Sequence, residues 1–305
     1  MEITASMVKE LRESTGAGMM DCKKALTEAN GDMSAAVDVL RTKGLADLAK
    51  KAGRATNEGV IGGYTSPDGR TGVLVEINCE TDFVARNAEF RTFVGEFAEQ
   101  IAVGAAADVA ALLAQPYAKR SDITMEQFLG ETVGKLGENM GITRFVRYEV
   151  TGDAGTIGVY IHGVGNIGVM VEVAAGSPEA ASSALVSGFA RDVAMQVAAA
   201  SPVAVRREEV PADVVAHELS IYKAQAAETG KPEAIQEKIA EGRLDKYYKE
   251  FCLLEQSFVK NPDISVKQHL DQVAKEAGAT LDIVRFERMV LGETNPEPRA
   301  SGCGC

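Results

Sequence analysis

Residues 59–64 read Gly-Val-Ile-Gly-Gly-Tyr, and residues 155–160 read Gly-Thr-Ile-Gly-Val-Tyr, 96 positions further along the chain. The match continues without a gap at this offset, so that residues 59–102 correspond to residues 155–198. It includes four glycines at turn or strand positions, where the absence of a side chain has a backbone reason. We therefore interpret the main body of the chain as two related subdomains in tandem.

Each copy has the pattern of a strand hairpin followed by helices and a closing strand. In the first copy, Pro67-Asp68-Gly69 is a turn signal between a strand at 59–64 and the β-branched run 73–77. Apolar residues at helical spacing then predict a long helix over 83–107. The remaining predicted elements are helices over 108–118 and 124–139 and a strand over 143–150. Arg144-Phe145 near the end of the first copy has a counterpart in Arg285-Phe286 near the end of the second.

The first 45 residues have the pattern of a small three-helix unit. Thr4 is a predicted N-cap of the first helix, and the run Thr15–Gly18 ends it. The second helix runs from Met19 to Leu26, and Asp32 or Ser34 caps the third. So few residues bury little apolar surface, so this unit is marginal alone.

The second copy carries an insertion, residues 204–262, that the first copy lacks. Apolar residues recur there at spacings of three and four on both sides of Gly230-Lys231-Pro232. This pattern predicts two antiparallel helices with a narrow apolar seam, a helical hairpin or short coiled coil.

The predicted fold class is α+β. The predicted segments are a helical domain at 1–45, a connector at 46–58, a first core subdomain at 59–151, a second core subdomain at 152–203 and 263–292, the helical insertion at 204–262, and a disordered tail at 293–305.

Composition narrows the possible partners. The 305 residues include 32 Lys and Arg against 44 Asp and Glu, which gives a formal net charge of −12. Nucleic-acid affinity depends on Lys and Arg that neutralise phosphates, so direct nucleic-acid binding is not expected. The sequence has no apolar run of the roughly 20 residues that cross a bilayer, and Met1–Thr4 does not resemble a secretory signal. We expect a cytoplasmic protein without a membrane partner.

Cysteines and histidines are too scattered for a disulfide framework or a zinc site. Cys22, Cys79 and Cys252 stand singly, and three histidines have no cysteine pair beside them. The Cys303-Gly304-Cys305 tail could bind a soft metal or react with oxidants, although reduced thiols on a frayed terminus are the favoured interpretation. No metal site is predicted.

Motifs for enzymatic chemistry are absent apart from one Gly-rich stretch. Residues 163–168 satisfy Gly-x-Gly-x-x-Gly, but a dinucleotide site needs a helix after this motif, and here the repeat predicts a strand. Paired carboxylates remain open as an acid–base site. We predict no enzyme activity, no catalytic residue and no cofactor.

The two copies differ where strand joins helix. The second copy has helix-start residues there, Gly176-Ser177-Pro178-Glu179-Ala180, whereas the first has Thr81-Asp82-Phe83-Val84. Phe83 is unusual, because a first-turn position is expected to be exposed. An aromatic residue beside an acid at a helix tip suits a contact with a partner. The alternative is that Phe83 folds back onto the sheet, and both interpretations stay open. Met19-Met20 raises the same choice, with a place in the small core favoured.

Three stretches closely resemble the bacterial elongation factor Ts family. They are Thr15–Leu26, Asn78–Asn87, and His162-Gly163 with Ile167–Val169; Gly230–Pro232 and Glu241–Leu244 also resemble that family. The resemblance extends over about residues 2–292. It implies that the helical domain is UBA-like.

The resemblance also implies a function, guanine-nucleotide exchange on elongation factor Tu without covalent chemistry. Residues that match the family's contact positions are Leu11, Met19 and Met20 in the helical unit, Thr81, Asp82, Phe83 and Val84 beside the nucleotide and Mg²⁺ site of Tu, and His162 and Gly163 in the second subdomain.

Two functions of other classes stay as alternatives. One is a structural scaffold that self-associates through the helical insertion, and the other is a nucleotide-binding enzyme that uses the Gly-rich hairpin. Binding of NAD or ATP by the chain would favour the enzyme. Self-association without an effect on Tu would favour the scaffold.

Overall fold

The computed structural model describes residues 3–293. The chain mixes helices and strands, which confirms the α+β class. Within residues 3–293, no helix is both long enough and apolar enough to cross a membrane. Apart from Glu293, the predicted disordered tail with Cys303 and Cys305 lies outside the described residues.

Residues 3–293 form twelve α-helices and ten strands in two series, together with two short 3-10 helices. The first series is α1 (Ala5–Thr15), α2 (Met19–Glu28), α3 (Met33–Lys51), β1 (Glu58–Thr65), β2 (Thr71–Cys79), α4 (Asp82–Ala85), α5 (Ala88–Gly104), α6 (Val109–Ala114), β3 (Pro116–Tyr117), β4 (Arg120–Thr124), α7 (Met125–Leu136) and β5 (Met140–Glu149). The second is β6 (Gly155–His162), β7 (Ile167–Ala175), α8 (Pro178–Ala181), α9 (Ala184–Ala200), α10 (Ala212–Ala227), α11 (Glu233–Phe251), β8 (Ser257–Phe258), β9 (Asn261–Ser265), α12 (Val266–Ala277) and β10 (Leu281–Val290).

Helices α1 to α3 form around a small core. Thr4 caps α1 as predicted, and Gly16 ends it in the left-handed conformation that favours glycine. Asp32 rather than Ser34 caps α3, because its carboxylate accepts the backbone N–H of Ala35. The buried residues shared by the three helices are Val8, Leu11, Cys22, Ala25, Leu26 and Ala36.

The predicted boundary between residues 45 and 46 falls inside α3, which continues unbroken to Lys51. Gly44 of α3 and Gly130 of α7 lie so close that a Cβ on either would sit 3.0 Å from a backbone carbon of the other. This close crossing joins the helical segment to the first α+β segment, and contacts accordingly place both in one compact unit. Residues 46–51 of the predicted connector are thus an extension of the third helix.

Contacts divide the described chain into two compact units. The first consists of the described residues up to Tyr64 with Val73–Arg147 and Val164–Asn166, and the second of Thr65–Gly72, Tyr148–Gly163 and the described residues from Ile167 onward. One three-stranded sheet has the order β1-β2-β5, and the other has the order β10-β7-β6. In the second sheet, β7 pairs antiparallel with both neighbours.

From β1 and from β6 onward, the two series share their order of strands and helices, except that α6 occurs only in the first and α10 and α11 only in the second. Helices α8 and α9 follow α4 and α5 at an offset of 96 residues, and α12 and β10 follow α7 and β5 at an offset of 141. The capping boxes of α7 and α12 also correspond, with Thr124 and Gln127 in one and Ser265 and Gln268 in the other. The segment between α9 and β8 is therefore 45 residues longer than the segment between α5 and β3, and it includes α10 and α11.

The long helix predicted over 83–107 is wrong in one respect. The chain forms the single turn α4, leaves the helix at Arg86, and starts α5 with Asn87 as N-cap. The Asn87 side chain accepts the backbone N–H of Glu89 at 2.8 Å, which favours a new helix start over a continuous helix. The helix predicted over 108–118 also ends early, because Pro116 begins the short strand β3.

Helices α10 and α11 pack against each other in the predicted insertion. Their apolar seam includes Val214, Val215, Tyr222, Leu244, Tyr247 and Phe251. Gly230 lies between them with a φ of +65°, which suits glycine at the tight connection. Self-association of the chain through this coiled-coil-like pair stays a prediction.

Gly158→Ala is expected to lower the free energy of unfolding by about 2 kcal/mol, measured by urea unfolding. A Cβ at Gly158 on β6 would lie 2.5 Å from the carbonyl carbon of Ala190 on α9, and neither backbone moves easily. Gly188→Ala on the exposed face of α9 is the matched control, because a Cβ there meets nothing within 4 Å. We expect this control to stabilise the protein by about 0.5–1 kcal/mol. Equal stability of the two variants would contradict the close-approach argument.

Candidate functional site

The turn after β2 presents an aromatic side chain to solvent. Thr81 caps α4, and its hydroxyl oxygen accepts the backbone N–H of Val84 at 3.4 Å. Val84 and Ala85 are buried in the hydrophobic core that β2, α5 and α7 share, whereas Phe83 is 84% exposed. Among residues 3–293, no large apolar side chain is more exposed than Phe83. The alternative in which Phe83 folds back onto the sheet is therefore wrong. We call Thr81–Val84 the tip.

Asp82 lies beside Phe83 on the same turn. Its carboxylate is 3.3 Å from the guanidinium of Arg86, and both side chains are about half exposed or more. Because the side chain of Asp82 is about half exposed, its carboxylate is accessible to a partner. Exposed ion pairs of this kind contribute little to stability. The tip thus offers one aromatic ring and one negative charge to solvent.

Residues that are distant in sequence form hydrogen bonds with the tip and with Glu80 beside it. Glu138, in the loop after α7, accepts the backbone N–H of Thr81 at 3.0 Å and its hydroxyl at 2.6 Å. The next residue, Asn139, donates its backbone N–H to Glu80 at 2.6 Å. This hydrogen bond is the main reason that the pKa of Glu80 is lowered, with Arg54 adding to the effect.

Cys79, the last residue of β2, lies directly before the tip. Its thiol is fully buried and donates to the carbonyl oxygen of Thr81 at 3.2 Å. Burial raises the pKa of Cys79 to about 12, so the thiol stays protonated and unreactive at neutral pH. Its place is structural, since it fills the core where the strand ends.

The helical unit exposes a second apolar surface. Met19 and Met20 at the start of α2 are 59% and 64% exposed, so the interpretation that placed them in the core is wrong. They line a groove together with the charged residues Lys9, Arg12, Glu13 and Lys23. Leu11 differs from the expectation of a contact residue: it is fully buried among α1 to α3 and does not reach the surface. It contributes to the core of the helical unit.

His162 and Gly163 lie at the end of β6, in the second series. His162 is exposed, and its Nδ1 is 3.0 Å from the hydroxyl of Tyr160. Gly163 opens the turn to β7 with a φ of +61°. The Gly-x-Gly-x-x-Gly stretch is therefore the turn of an antiparallel hairpin, as the repeat predicts, and a strand follows it. This geometry lacks the helix N-terminus that binds a dinucleotide pyrophosphate.

The structure brings Thr81, Asp82, Phe83 and Val84 together on one turn, and Met19 and Met20 together on another surface of the same unit. Glu138 was not predicted from the sequence. A signal for it exists in the repeat: at the 141-residue offset, Ala279 of the second copy stands opposite Glu138 of the first. Within residues 3–293, no cluster of three or more His, Cys, Asp or Glu side chains could hold a metal ion.

Comparison with known proteins identifies the family. A family model described as "Elongation factor TS" matches residues 80–293. The chain is 48% identical over 293 residues to elongation factor Ts of Trichlorobacter lovleyi, covering 96% of this chain and 94% of the relative. It is 50% identical over 291 residues to elongation factor Ts of Clostridium perfringens strain SM101, covering 95% and 93%. With these matches over nearly its full length, the chain belongs to the elongation factor Ts family of translation elongation factors.

Proposed function

We propose that this protein binds elongation factor Tu in its GDP-bound form and promotes release of the GDP. The observation that carries the proposal is the 84% exposed Phe83, held beside Asp82 on a single helical turn. Isolated exposed aromatic rings that sit on a fixed support are suited to insert into a partner. The family's activity supplies the partner and the direction of the reaction.

Phe83 and Asp82 have separate parts in the proposed reaction. The ring of Phe83 enters beside the nucleotide site of Tu, and the carboxylate of Asp82 comes near the Mg²⁺ site. Disturbing the Mg²⁺ coordination removes positive charge from the phosphates of GDP, which weakens their binding. Thr81 and Val84 act from behind, since one caps the turn and the other anchors it in the core.

The exchange reaction needs differential binding rather than a catalytic group. A factor that binds nucleotide-free Tu more tightly than Tu·GDP weakens GDP binding, and GDP weakens the factor's binding by the same ratio. Each tenfold weakening of GDP requires about 1.4 kcal/mol of this difference. An exposed wedge and a rigid support are sufficient for that task.

Two further surfaces extend the proposed contact with Tu. Met19 and Met20 present flexible, polarisable side chains that adapt to an apolar partner. His162 and Gly163 supply an exposed ring and an exposed turn in the second unit. Leu11 is buried in the core of the helical unit and contributes to its packing.

The proposed partner is a protein, so the net charge of −12 is no obstacle to a role in translation. We propose that the protein acts in the cytoplasm, where translation takes place. Self-association through residues 204–262 stays a prediction that the oligomeric state in solution would test.

Release of a fluorescent GDP derivative from elongation factor Tu tests the proposal. Adding this protein is expected to raise the release rate in proportion to its concentration until Tu is saturated. Excess unlabelled GDP is expected to dissociate the complex, because the coupling is reciprocal. A release rate that stays at its basal value would overturn the proposal, and self-association without any effect on Tu would favour a scaffold instead.

A further inference from the structure

One carboxylate takes both hydrogen-bond donors of Thr81. The backbone N–H of Thr81 donates to Oε2 of Glu138 at 3.0 Å, and the hydroxyl donates to Oε1 at 2.6 Å. Glu138 is only partly exposed, and 57 residues separate it from Thr81. Hydrogen bonds to an ionised acceptor are short and strong, and two of them fix an orientation as well as a distance. We call this arrangement the Glu138 clamp.

A second link runs in the opposite direction beside the clamp. The backbone N–H of Asn139 donates to Oε1 of Glu80 at 2.6 Å, and the Asn139 side chain donates to the carbonyl oxygen of Arg54 at 2.9 Å. Neighbouring residues of the β2–α4 turn and of the α7–β5 loop thus hold each other through their carboxylates. Gly137, rather than Glu138, ends α7.

The second copy of the fold makes the same turn without a clamp. Its counterparts of Glu138 and Thr81 are Ala279 and Ser177, and alanine has no acceptor in its side chain. There, the backbone N–H of Gly176 donates to the carbonyl oxygen of Thr280 at 2.9 Å, which is sufficient to join the two loops. Formation of the fold therefore does not require a carboxylate at this position.

The clamp occurs in the copy whose turn exposes an aromatic residue. The counterpart of Phe83 is Glu179, which follows a proline in α8. A helix of four residues has no stability of its own, because nucleation is unfavourable. In α8, Pro178 restricts the first helical residue, whereas in α4 no such residue is present and the clamp holds the N-cap instead.

We infer that Glu138 is a positioning residue for nucleotide exchange: by holding Thr81, it keeps the α4 turn formed and Phe83 directed outward before Tu binds. This inference rests on the proposed function and names a residue that acts through Phe83 rather than on Tu itself. A turn that is ordered in advance spares the complex the entropy loss of ordering it on binding. Loss of the clamp is expected to slow exchange while the rest of the fold persists.

Glu138→Ala is expected to reduce the stimulated rate of GDP release about tenfold, which corresponds to about 1.4 kcal/mol. Glu138→Gln is expected to lose less, because a carboxamide keeps one acceptor oxygen for the two donors of Thr81. Ser177→Ala is the matched control, since it removes the N-cap of α8, where the clamp is absent. It is expected to leave the release rate unchanged.

A double mutant separates positioning from direct contact. In the Phe83→Ala background, Glu138→Ala is expected to have little further effect, because both changes remove the same wedge. Additive losses would show that Glu138 acts independently of Phe83 and would overturn the inference. Hydrogen exchange of the Thr81 amide provides a readout without Tu: it is expected to become at least about tenfold faster in Glu138→Ala, with a nearly unchanged urea midpoint.

The outcomes separate the two proposals. If the unaltered protein fails to accelerate GDP release, the proposed function fails and the positioning role with it. If the unaltered protein accelerates release, and Glu138→Ala and Glu138→Gln accelerate it as fast as the unaltered protein does, only the inference about Glu138 fails. If Glu138→Ala unfolds, a Glu138→Gln variant that folds but keeps full activity and a protected Thr81 amide also overturns it.

Discussion

Phe83→Ala is expected to slow Tu-bound GDP release by about 30-fold relative to the unaltered protein, a loss of about 2 kcal/mol that is typical of a binding hot spot. The reason is that the ring is the wedge in the proposed reaction and has no comparable neighbour on the tip. Its 84% exposure means that truncation removes almost no packing within the protein. The urea midpoint of the variant should therefore match that of the unaltered protein.

Glu179→Ala is the control for Phe83→Ala. Glu179 occupies the equivalent position on α8, 96 residues later, and is exposed as well. Its truncation should leave both the exchange rate and the stability within experimental error. Full activity of Phe83→Ala in stopped-flow measurements would remove this residue from the mechanism, and an equal loss in Glu179→Ala would point to a non-specific effect.

Arg144→Ala is expected to lower the free energy of unfolding by about 3 kcal/mol, measured by urea unfolding. Nε of Arg144 on β5 lies 2.8 Å from Oε2 of Glu76 on β2, and Glu76 is only 1% exposed. Removing the guanidinium takes away one charged hydrogen-bond partner of a buried carboxylate, and weaker compensation of a buried charge is costly. The same pair recurs in the second copy, where Arg285 lies 2.7 Å from the buried Glu172.

The double variant Glu76→Leu with Arg144→Met tests the cause of this loss. Replacing both members of a buried pair by apolar residues is often neutral, because the desolvation of both charges is avoided together with their attraction. Most of the stability lost in Arg144→Ala should therefore return. A double variant that is less stable than Arg144→Ala would show that the pair has a net stabilising value that apolar packing cannot replace.

Local signals in the sequence were sufficient for much of the fold. The offset of 96 residues located the two copies, and the shared Glu76 and Glu172 with Arg144 and Arg285 prove to be partners in each. Caps such as Thr4 could be predicted because a side-chain oxygen and the N–H it accepts lie three residues apart. The break at Arg86–Asn87 was missed, since the apolar spacing continues across it.

The sequence also contained the candidate tip, because the two copies differ in residue type at the same place. It left the exposure of that tip open, and for the methionines of α2 it wrongly favoured burial. Exposure depends on which side chains from distant parts of the chain cover a position, and periodicity does not record this. Leu11 and Met19 illustrate the point: both are apolar residues of the helical unit, yet one is fully buried and the other is 59% exposed.

Patterns among neighbouring residues were sufficient to predict the repeat, the α+β class, the helix caps and the family-specific segments. The outward direction of Phe83, the burial of Leu11 and the Glu138 clamp arise from folding, because they join residues that the chain separates by tens of positions. Thr81 and Glu138 are 57 residues apart and meet because α7 returns the chain to the end of β2. The acidic composition, known from the sequence, argues against a nucleic-acid partner. The exposed aromatic tip, known only from the tertiary structure, is suited to a protein partner.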